Sequence, residues 1–113
     1  MLQGHLRKRR FPRVHVEQPL FVEVLEDRGA QGFSRTRTLG EGGCSFKSPY
    51  AIGYLSLMKV SISLSGRVVT ADGRAVYQVE QTDGEFEVGV EFLRLSNEDR
   101  IHIRQLVTIG VTR

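Results

Sequence analysis

Tryptophan is absent from this chain, and its 113 residues include three prolines and a single cysteine, Cys44. One cysteine can form neither an internal disulfide nor a cysteine-based zinc site, and such usage is typical of a reducing compartment. No apolar run approaches the roughly 18 residues that cross a membrane, and no signal-like apolar segment follows the charged N-terminus. We therefore expect a cytoplasmic protein.

Motifs that carry catalysis or bind metals are also missing. The sequence has no G-x-S-x-G, no Walker glycine-lysine loop and no H-E-x-x-H, and its three histidines lack ligand spacing. Cys44 has no partner cysteine and is best explained as a small buried hydrophobic residue. We expect neither an enzyme nor a metal-binding protein.

Positive charge is concentrated at the N-terminus. The first thirteen residues carry five Lys or Arg and no acid, so the rest of the chain is slightly acidic although the whole has a net charge of +3. A concentrated patch favours one anionic partner at one place over the extended basic face that binds duplex DNA. We predict a flexible basic arm over residues 1–13 and a single domain over residues 14–113.

Apolar residues alternate with polar ones over most of the chain, and turn residues interrupt the alternation at short intervals. This pattern predicts antiparallel strands over residues 14–26, 31–39, 44–46, 54–71, 74–81 and 86–92. The apolar phase slips by one residue near Met58, which predicts a β-bulge or a bend there. Asp72-Gly73 is the strongest hairpin signal, and Asp83-Gly84 predicts the next turn.

Only the C-terminal end has a helical pattern. Ser96 followed by Asp99 is a variant of the capping box, and Ile103, Leu106 and Val107 share one helical face. The chain is therefore predicted to be all-β with a C-terminal helix. A small six-stranded antiparallel β-barrel is favoured over a sandwich, because so few strands must hide all their edges.

Two stretches carry recognisable binding chemistry. The basic run is Arg7-Lys8-Arg9-Arg10-Phe11-Pro12-Arg13, and the glycine turn is Leu39-Gly40-Glu41-Gly42-Gly43-Cys44. Guanidinium groups and the bare backbone N–H groups of a glycine-rich turn both suit anionic oxygens. Brought together by a barrel, they would bind a phosphate-containing ligand.

These stretches resemble the two signatures of the PilZ domain family. Arg9-Arg10-Phe11-Pro12-Arg13 is similar to its R-x-x-x-R signature, and residues 38–43 fall where the family has D/N-x-S-x-x-G. Residues 66–69 and 88–92 are similar to its strand patterns, and the predicted helix falls where its terminal helix does. The resemblance covers about residues 7 to 108.

The resemblance implies a six-stranded barrel that binds the bacterial second messenger cyclic di-GMP, needs no cofactor and contains no membrane-inserted segment. It implies an arm that wraps over the ligand, with guanine and phosphate contacts from Arg9 and Arg13 and a further contact from Arg10. An arginine suits all these roles, because its fork matches guanine O6 and N7, pairs with phosphate and stacks on a purine. The expected ligand-binding residues are Arg9, Arg10, Arg13, Thr38, Gly40, Glu41, Gly42 and Gly43. The output would pass to an unidentified protein in motility, polysaccharide or biofilm control.

Two positions depart from the family pattern, since Thr38 stands where Asp or Asn is expected and Gly40 where Ser is expected. A carboxylate accepts two hydrogen bonds from the N–H edge of guanine, whereas a threonine hydroxyl accepts weakly. The loss is worth about 1 to 3 kcal/mol, which is about ten- to a hundredfold in affinity.

Two hypotheses of different class follow. The favoured one is a cyclic di-GMP receptor whose glycine turn uses backbone amides in place of those side chains. The alternative is a degenerate PilZ-like domain that does not bind the nucleotide and acts as a protein-interaction module. A third possibility, single-stranded nucleic-acid binding, is disfavoured because the strands lack the interleaved exposed aromatics that such binding uses.

Overall fold

The computed structural model describes residues 11–25 and 30–112. Within these residues, seven strands precede one helix. The strands are β1 (Arg13–His15), β2 (Pro19–Val24), β3 (Gln31–Gly40), β4 (Gly43–Ser48), β5 (Leu57–Leu64), β6 (Arg67–Glu80) and β7 (Phe86–Leu95), and the helix is α1 (Asn97–Thr112). The prediction of an all-β chain with a C-terminal helix is confirmed.

Six of these strands close into an antiparallel barrel. Their order is β3-β2-β5-β6-β7-β4, and β4 pairs back with β3 to complete the circle. The short β1 pairs with the end of β3, on the edge where β2 pairs with its beginning. The predicted six-stranded barrel is therefore confirmed, and β1 brings the described end of the basic arm onto its wall.

The strand predicted over residues 14–26 is interrupted, because the buried side chain of Thr36 replaces part of the ladder. Thr36 Oγ1 donates to the carbonyl of Val16 at 2.5 Å and accepts the N–H of Gln18 at 2.9 Å. Two separate strands, β1 and β2, result. A buried threonine satisfies these groups so that the chain can change direction without leaving backbone polar atoms unpaired.

The hairpin predicted at Asp72-Gly73 is wrong. The β5–β6 turn lies at Ser65 and Gly66, whose φ values of 49° and 79° are those of a tight primed turn. Asp72 and Gly73 lie inside β6, where the register with β7 shifts by a bulge. Glycine suits this bulge, because a Cβ at Gly73 would lie 2.8 Å from the carbonyl oxygen of Glu91.

The bulge predicted near Met58 is also wrong. The β5–β6 register runs without a break from Leu57 to Leu64, and the even-numbered residues of β5 are buried. Leu55 lies before the strand with a φ of 66°. The slip in apolar phase therefore marks the start of β5, where an irregular loop becomes regular strand.

The core lies inside the barrel and beneath α1. It consists of aliphatic side chains from the other five barrel strands and from Ile52, together with Cys44 and Phe46 of β4 and Met58 of β5, and α1 contributes Ile103 and Val107. The helix begins after Ser96, whose Oγ accepts the N–H of Asp99 at 3.1 Å. Asp99 in turn accepts two hydrogen bonds from Arg67 of β6, at 3.0 and 2.9 Å, which fixes the start of α1 to the barrel.

Candidate functional site

The last arginine of the basic run, Arg13, lies directly on the glycine turn. β1 pairs Arg13 with Gly40, and the guanidinium Nη2 of Arg13 donates to the carbonyl of Val90 on β7 at 3.4 Å. The predicted meeting of arm and turn is therefore present at Arg13. Arg9 and Arg10, the other arginines predicted to bind ligand, lie outside the described residues.

The glycines of the turn allow this close packing. A Cβ at Gly40 would overlap the carbonyl oxygen of Pro12, and a Cβ at Gly43 would overlap the carbonyl oxygen of Val90 and lie 2.5 Å from Arg13 Nη2. Neither glycine has a positive φ. They are needed because the backbone of the arm and the guanidinium approach a surface that side chains would otherwise occupy.

Glu41, at the tip of the turn, faces the helix. Its carboxylate is almost buried and accepts two hydrogen bonds from Arg104 of α1, from Nε at 3.1 Å and from Nη2 at 3.0 Å. These hydrogen bonds and the charge of Glu41 raise the pKa of the Arg104 guanidinium above its usual value. The side chain of Glu41 thus fixes the turn to α1, while its backbone remains part of the turn.

The helix also contacts the arm itself. The guanidinium of Arg100 lies 5.4 Å from the ring centre of Phe11, a distance typical of a cation–π contact. Further along α1, a Cβ at Gly110 would lie 2.9 Å from Val14 of β1. Together with the Glu41–Arg104 pair, these contacts connect α1 to the arm, to β1 and to the glycine turn.

Thr38 contributes a hydroxyl that is already engaged. Its Oγ1 lies 2.8 Å from Ser45 Oγ, and the same Ser45 oxygen accepts the backbone N–H of Thr38 at 3.2 Å. Ser45 is fully buried in β4. The pair therefore forms a small polar patch on the barrel wall beside the turn.

A second polar group, the hydrogen-bonded pair of Tyr77 and Glu87, lies next to this patch and does not belong to any motif that the sequence shows. Tyr77 of β6 lays its ring over Gly89 of β7, where a Cβ would overlap the ring, and its hydroxyl donates to Glu87 Oε2 at 3.0 Å. In the alternating pattern of residues 86–92, Glu87 falls on the face opposite the apolar residues, and nothing else in the sequence marks it. The one available signal was a glycine in an otherwise side-chain-rich strand, which often marks a close approach.

The groups that shift the pKa of Tyr77 belong to the same region. Burial raises the pKa of Tyr77, and the hydrogen bond and charge of Glu87 raise it further, while a hydrogen bond with Ser45 and the charge of Arg13 act in the opposite direction. The phenol is therefore a proton donor at neutral pH. Strand pairing also places Ser45 and Tyr77 on either side of Gly89, so Arg13, Ser45, Tyr77 and Glu87 lie in one region of the barrel wall.

Other charged residues lie around this surface. Glu91 of β7 accepts a hydrogen bond from Arg74 Nε at 2.9 Å. Arg35 and Arg37 of β3 are both exposed. Among the described residues, no group of acids, histidines and cysteine could hold a metal ion, and no helix is long and apolar enough to cross a membrane.

Cys44 lies beneath the site and not in it. It is fully buried, and this burial raises the pKa of its thiol to about 12, although the charge of Arg13 lowers it in part. The thiol is therefore protonated and unreactive at neutral pH. The prediction of a small buried hydrophobic residue is confirmed.

A closed six-stranded barrel whose glycine turn is overlaid by an arginine from an N-terminal arm defines a small ligand-binding β-barrel domain. The sequence profile of the PilZ domain family matches residues 7–108, and the chain belongs to this family. PilZ domains are ligand-binding receptor domains and not enzymes, in agreement with the prediction from the sequence. Among curated proteins, none matches the sequence significantly.

Solved structures with the same fold have low sequence identity to this chain. The Bacillus subtilis inhibitor of motility MotI/DgrA superposes with a TM-score of 0.79 at 8% identity, over 96% of this chain and 54% of that one. The K. pneumonia MrkH–c-di-GMP complex gives 0.74 at 13% identity, over 95% and 53%. The PilZ domain of Escherichia coli YcgR with c-di-GMP gives 0.67 at 13% identity, over 94% and 93%.

The coverage differs between these structures. This chain spans about half the length of MotI/DgrA and of MrkH, and nearly the whole of the YcgR PilZ domain. At such identities the superpositions establish a shared fold. The residues that act in this chain have to be argued from its own site.

Proposed function

We propose that this chain is a cyclic di-GMP receptor domain. The observation that carries the proposal is the position of Arg13, which β1 holds against the Gly40–Gly43 turn on the barrel wall. The YcgR PilZ domain and MrkH have both been solved with c-di-GMP bound. A guanidinium group at this position can pair with a phosphate or with the O6 and N7 edge of guanine.

The remaining predicted residues have distinct parts in this proposal. Arg9 and Arg10 supply further cationic contacts from the arm. Gly40, Gly42 and Gly43 allow the ligand and the arm to approach the backbone closely. Thr38 offers a hydroxyl at the wall, and Glu41 acts through Arg104 by fixing the turn that carries the other groups.

Ordering of the arm is the proposed switch. β1 already fixes the last residue of the basic run, so ligand binding would order the residues that precede it along the same wall. The contacts of α1 with Phe11, Val14 and Glu41 provide a route from the arm to the helix. A protein partner in motility, polysaccharide or biofilm control would then recognise the changed surface, in the cytoplasm.

Calorimetric titration with cyclic di-GMP at near-physiological salt tests the proposal, with GTP as a control ligand. We expect saturable binding at micromolar concentration or tighter that Arg13→Ala abolishes. Lys59→Ala is the control, because it removes an exposed positive charge from β5, a strand that carries none of the predicted ligand-binding residues, and it should leave the affinity within about threefold. Thermal melts without ligand must show that both variants fold.

The alternative function is a protein-interaction module that does not bind the nucleotide. Two observations favour it: the Thr38 hydroxyl is already paired with Ser45, and the backbone of Pro12 packs on Gly40. Absence of heat up to hundreds of micromolar cyclic di-GMP, in a protein shown to be folded, would make this alternative the primary one.

A further inference from the structure

A row of polar side chains crosses the barrel wall next to the glycine turn. It comprises Thr38 of β3, Ser45 of β4, Tyr77 of β6 and Glu87 of β7, and we call it the polar row. Thr38 contacts Ser45, and the Tyr77 hydroxyl donates to Glu87. The strands themselves place these residues together, because Gly89 is paired with Ser45 on one side and with Tyr77 on the other.

Tyr77 reaches across β7 only because position 89 is a glycine. A Cβ at Gly89 would overlap the tyrosine ring, so any other residue there would force the ring off the wall. The hydroxyl then holds one oxygen of Glu87 at 3.0 Å. A half-buried carboxylate is thereby fixed in orientation on a surface that also carries the positive charge of Arg13.

A fixed carboxylate is the group that the sequence lacks at position 38. Thr38 cannot accept two hydrogen bonds from the N1–H and N2–H groups of guanine, whereas a carboxylate has about four acceptor sites. Tyr77 uses one site of Glu87, and the others remain for a ligand. Glu91 is the other carboxylate nearby, but Arg74 engages it at 2.9 Å.

Resting on the proposed receptor function, we propose that Glu87, oriented by Tyr77, accepts the N1–H and N2–H edge of a guanine base in place of the missing Asp or Asn at position 38. Glu87 is then the residue that selects guanine, and Tyr77 is a positioning residue. Arg13 neutralises part of the repulsion between this carboxylate and the phosphates of the ligand. The recognition site accordingly spans four strands and not one continuous motif.

The test compares two nucleotides on the full chain by calorimetry. Cyclic di-inosine monophosphate retains N1–H, O6 and N7 of cyclic di-GMP but lacks the N2 amine. We expect the unchanged protein to bind it about tenfold or more weakly than cyclic di-GMP, because a hydrogen bond to a charged acceptor is lost. In Glu87→Ala the affinity for cyclic di-GMP falls about ten- to a hundredfold, and the ratio between the two nucleotides approaches one.

Two further variants separate selection from folding. Tyr77→Phe keeps the ring on Gly89 but releases Glu87, so it should reduce the ratio between the nucleotides while the protein stays folded. Glu23→Ala removes an outward-facing carboxylate from β2, away from the polar row, and should leave both affinities unchanged. A loss of folding alone would lower both affinities together and would leave the ratio as it was.

The possible outcomes distinguish the two proposals. If the unchanged protein does not bind cyclic di-GMP at all, the receptor function and the role of Glu87 are both wrong. If it binds but Glu87→Ala binds equally well or more tightly, with an unchanged ratio, the receptor function stands and the role of Glu87 in guanine recognition is wrong. Selective loss of the guanine preference in both Glu87→Ala and Tyr77→Phe supports the assignment.

Discussion

Arg104 on the helix holds Glu41 at the tip of the β3–β4 turn through two hydrogen bonds, Nε to Oε2 at 3.1 Å and Nη2 to Oε1 at 3.0 Å. A paired arginine fork and carboxylate fix orientation as well as distance. The turn that meets the arm is therefore fixed to α1, which is far from it in sequence. This relationship connects the glycine turn to the C-terminal helix.

Removing this pair should loosen the turn while the barrel stays intact. In Arg104→Leu we expect faster amide hydrogen exchange at Gly42 and Gly43 than in the unchanged protein, because the anchoring hydrogen bonds are gone. Exchange in β5 should stay the same and serves as the internal control. Unchanged exchange at both glycines would show that strand pairing alone holds the turn.

Restoring the serine of the family motif should harm this protein. A Cβ at Gly40 would overlap the Pro12 carbonyl, so Gly40→Ser must push the arm away from β3, at a cost of about 1 to 3 kcal/mol of unfolding free energy. Gly32→Ser is the matched control on the same strand, because a Cβ there meets nothing within 4 Å. Chemical denaturation of both variants measures the difference, and equal stabilities would contradict the close packing of Pro12.

Thr36 should be sensitive to a change that conserves its volume. Thr36→Val deletes the hydroxyl that donates to Val16 and accepts from Gln18, leaving two partly buried backbone groups unpaired. We expect a loss of about 1 to 3 kcal/mol in the free energy of unfolding. Thr70→Val, at an exposed position of β6, is the control and should change stability by less than about 0.5 kcal/mol.

Alkaline pH should destabilise the fold through Cys44. The thiol ionises at its ordinary pKa of 9.0 in the unfolded chain but at about 12 in the folded one, so the unfolded state loses its proton first. This stabilising contribution is fully present below pH 9 and is lost as the pH rises toward 12.

At pH 10.5 the loss amounts to about 2 kcal/mol relative to pH 7. Urea denaturation at both pH values measures it, and Cys44→Ala should lose correspondingly less on going to pH 10.5. Equal losses in the two proteins would show that other groups, such as Tyr77, dominate the alkaline response.

The barrel and its helix could be predicted from the sequence because alternation and capping are local signals. The alternation of β7 and the Ser96 cap specify their elements without reference to distant residues. Asp72-Gly73 misled the prediction because the same dipeptide that favours a tight turn also suits a bulge, and the close approach of β7 decides between them. Ser65-Gly66 was the real turn, with a weaker local signal.

The candidate site likewise has some residues that the sequence reveals and others that it does not. Arg13 and the glycine turn could be found because the arm and the turn each form a continuous motif. The polar row could not be found in this way, because the pairing of three strands is what brings Tyr77 and Glu87 close to Ser45. The need for a glycine at position 89 becomes apparent only when the ring of Tyr77 is placed over it. The role of Glu41 was equally hidden, because its partner Arg104 lies 63 positions away.

The contacts of α1 with Phe11, Val14 and Glu41 would couple nucleotide binding to the binding of any partner protein that contacts this helix. If nucleotide binding strengthens the partner's hold on α1 by some factor, the partner must strengthen nucleotide binding by the same factor, because the two equilibria form one closed cycle. The concentration at which the domain responds to its ligand would then be set jointly with the abundance of the partner. One domain could therefore respond at different ligand levels in cells that differ only in how much partner they make.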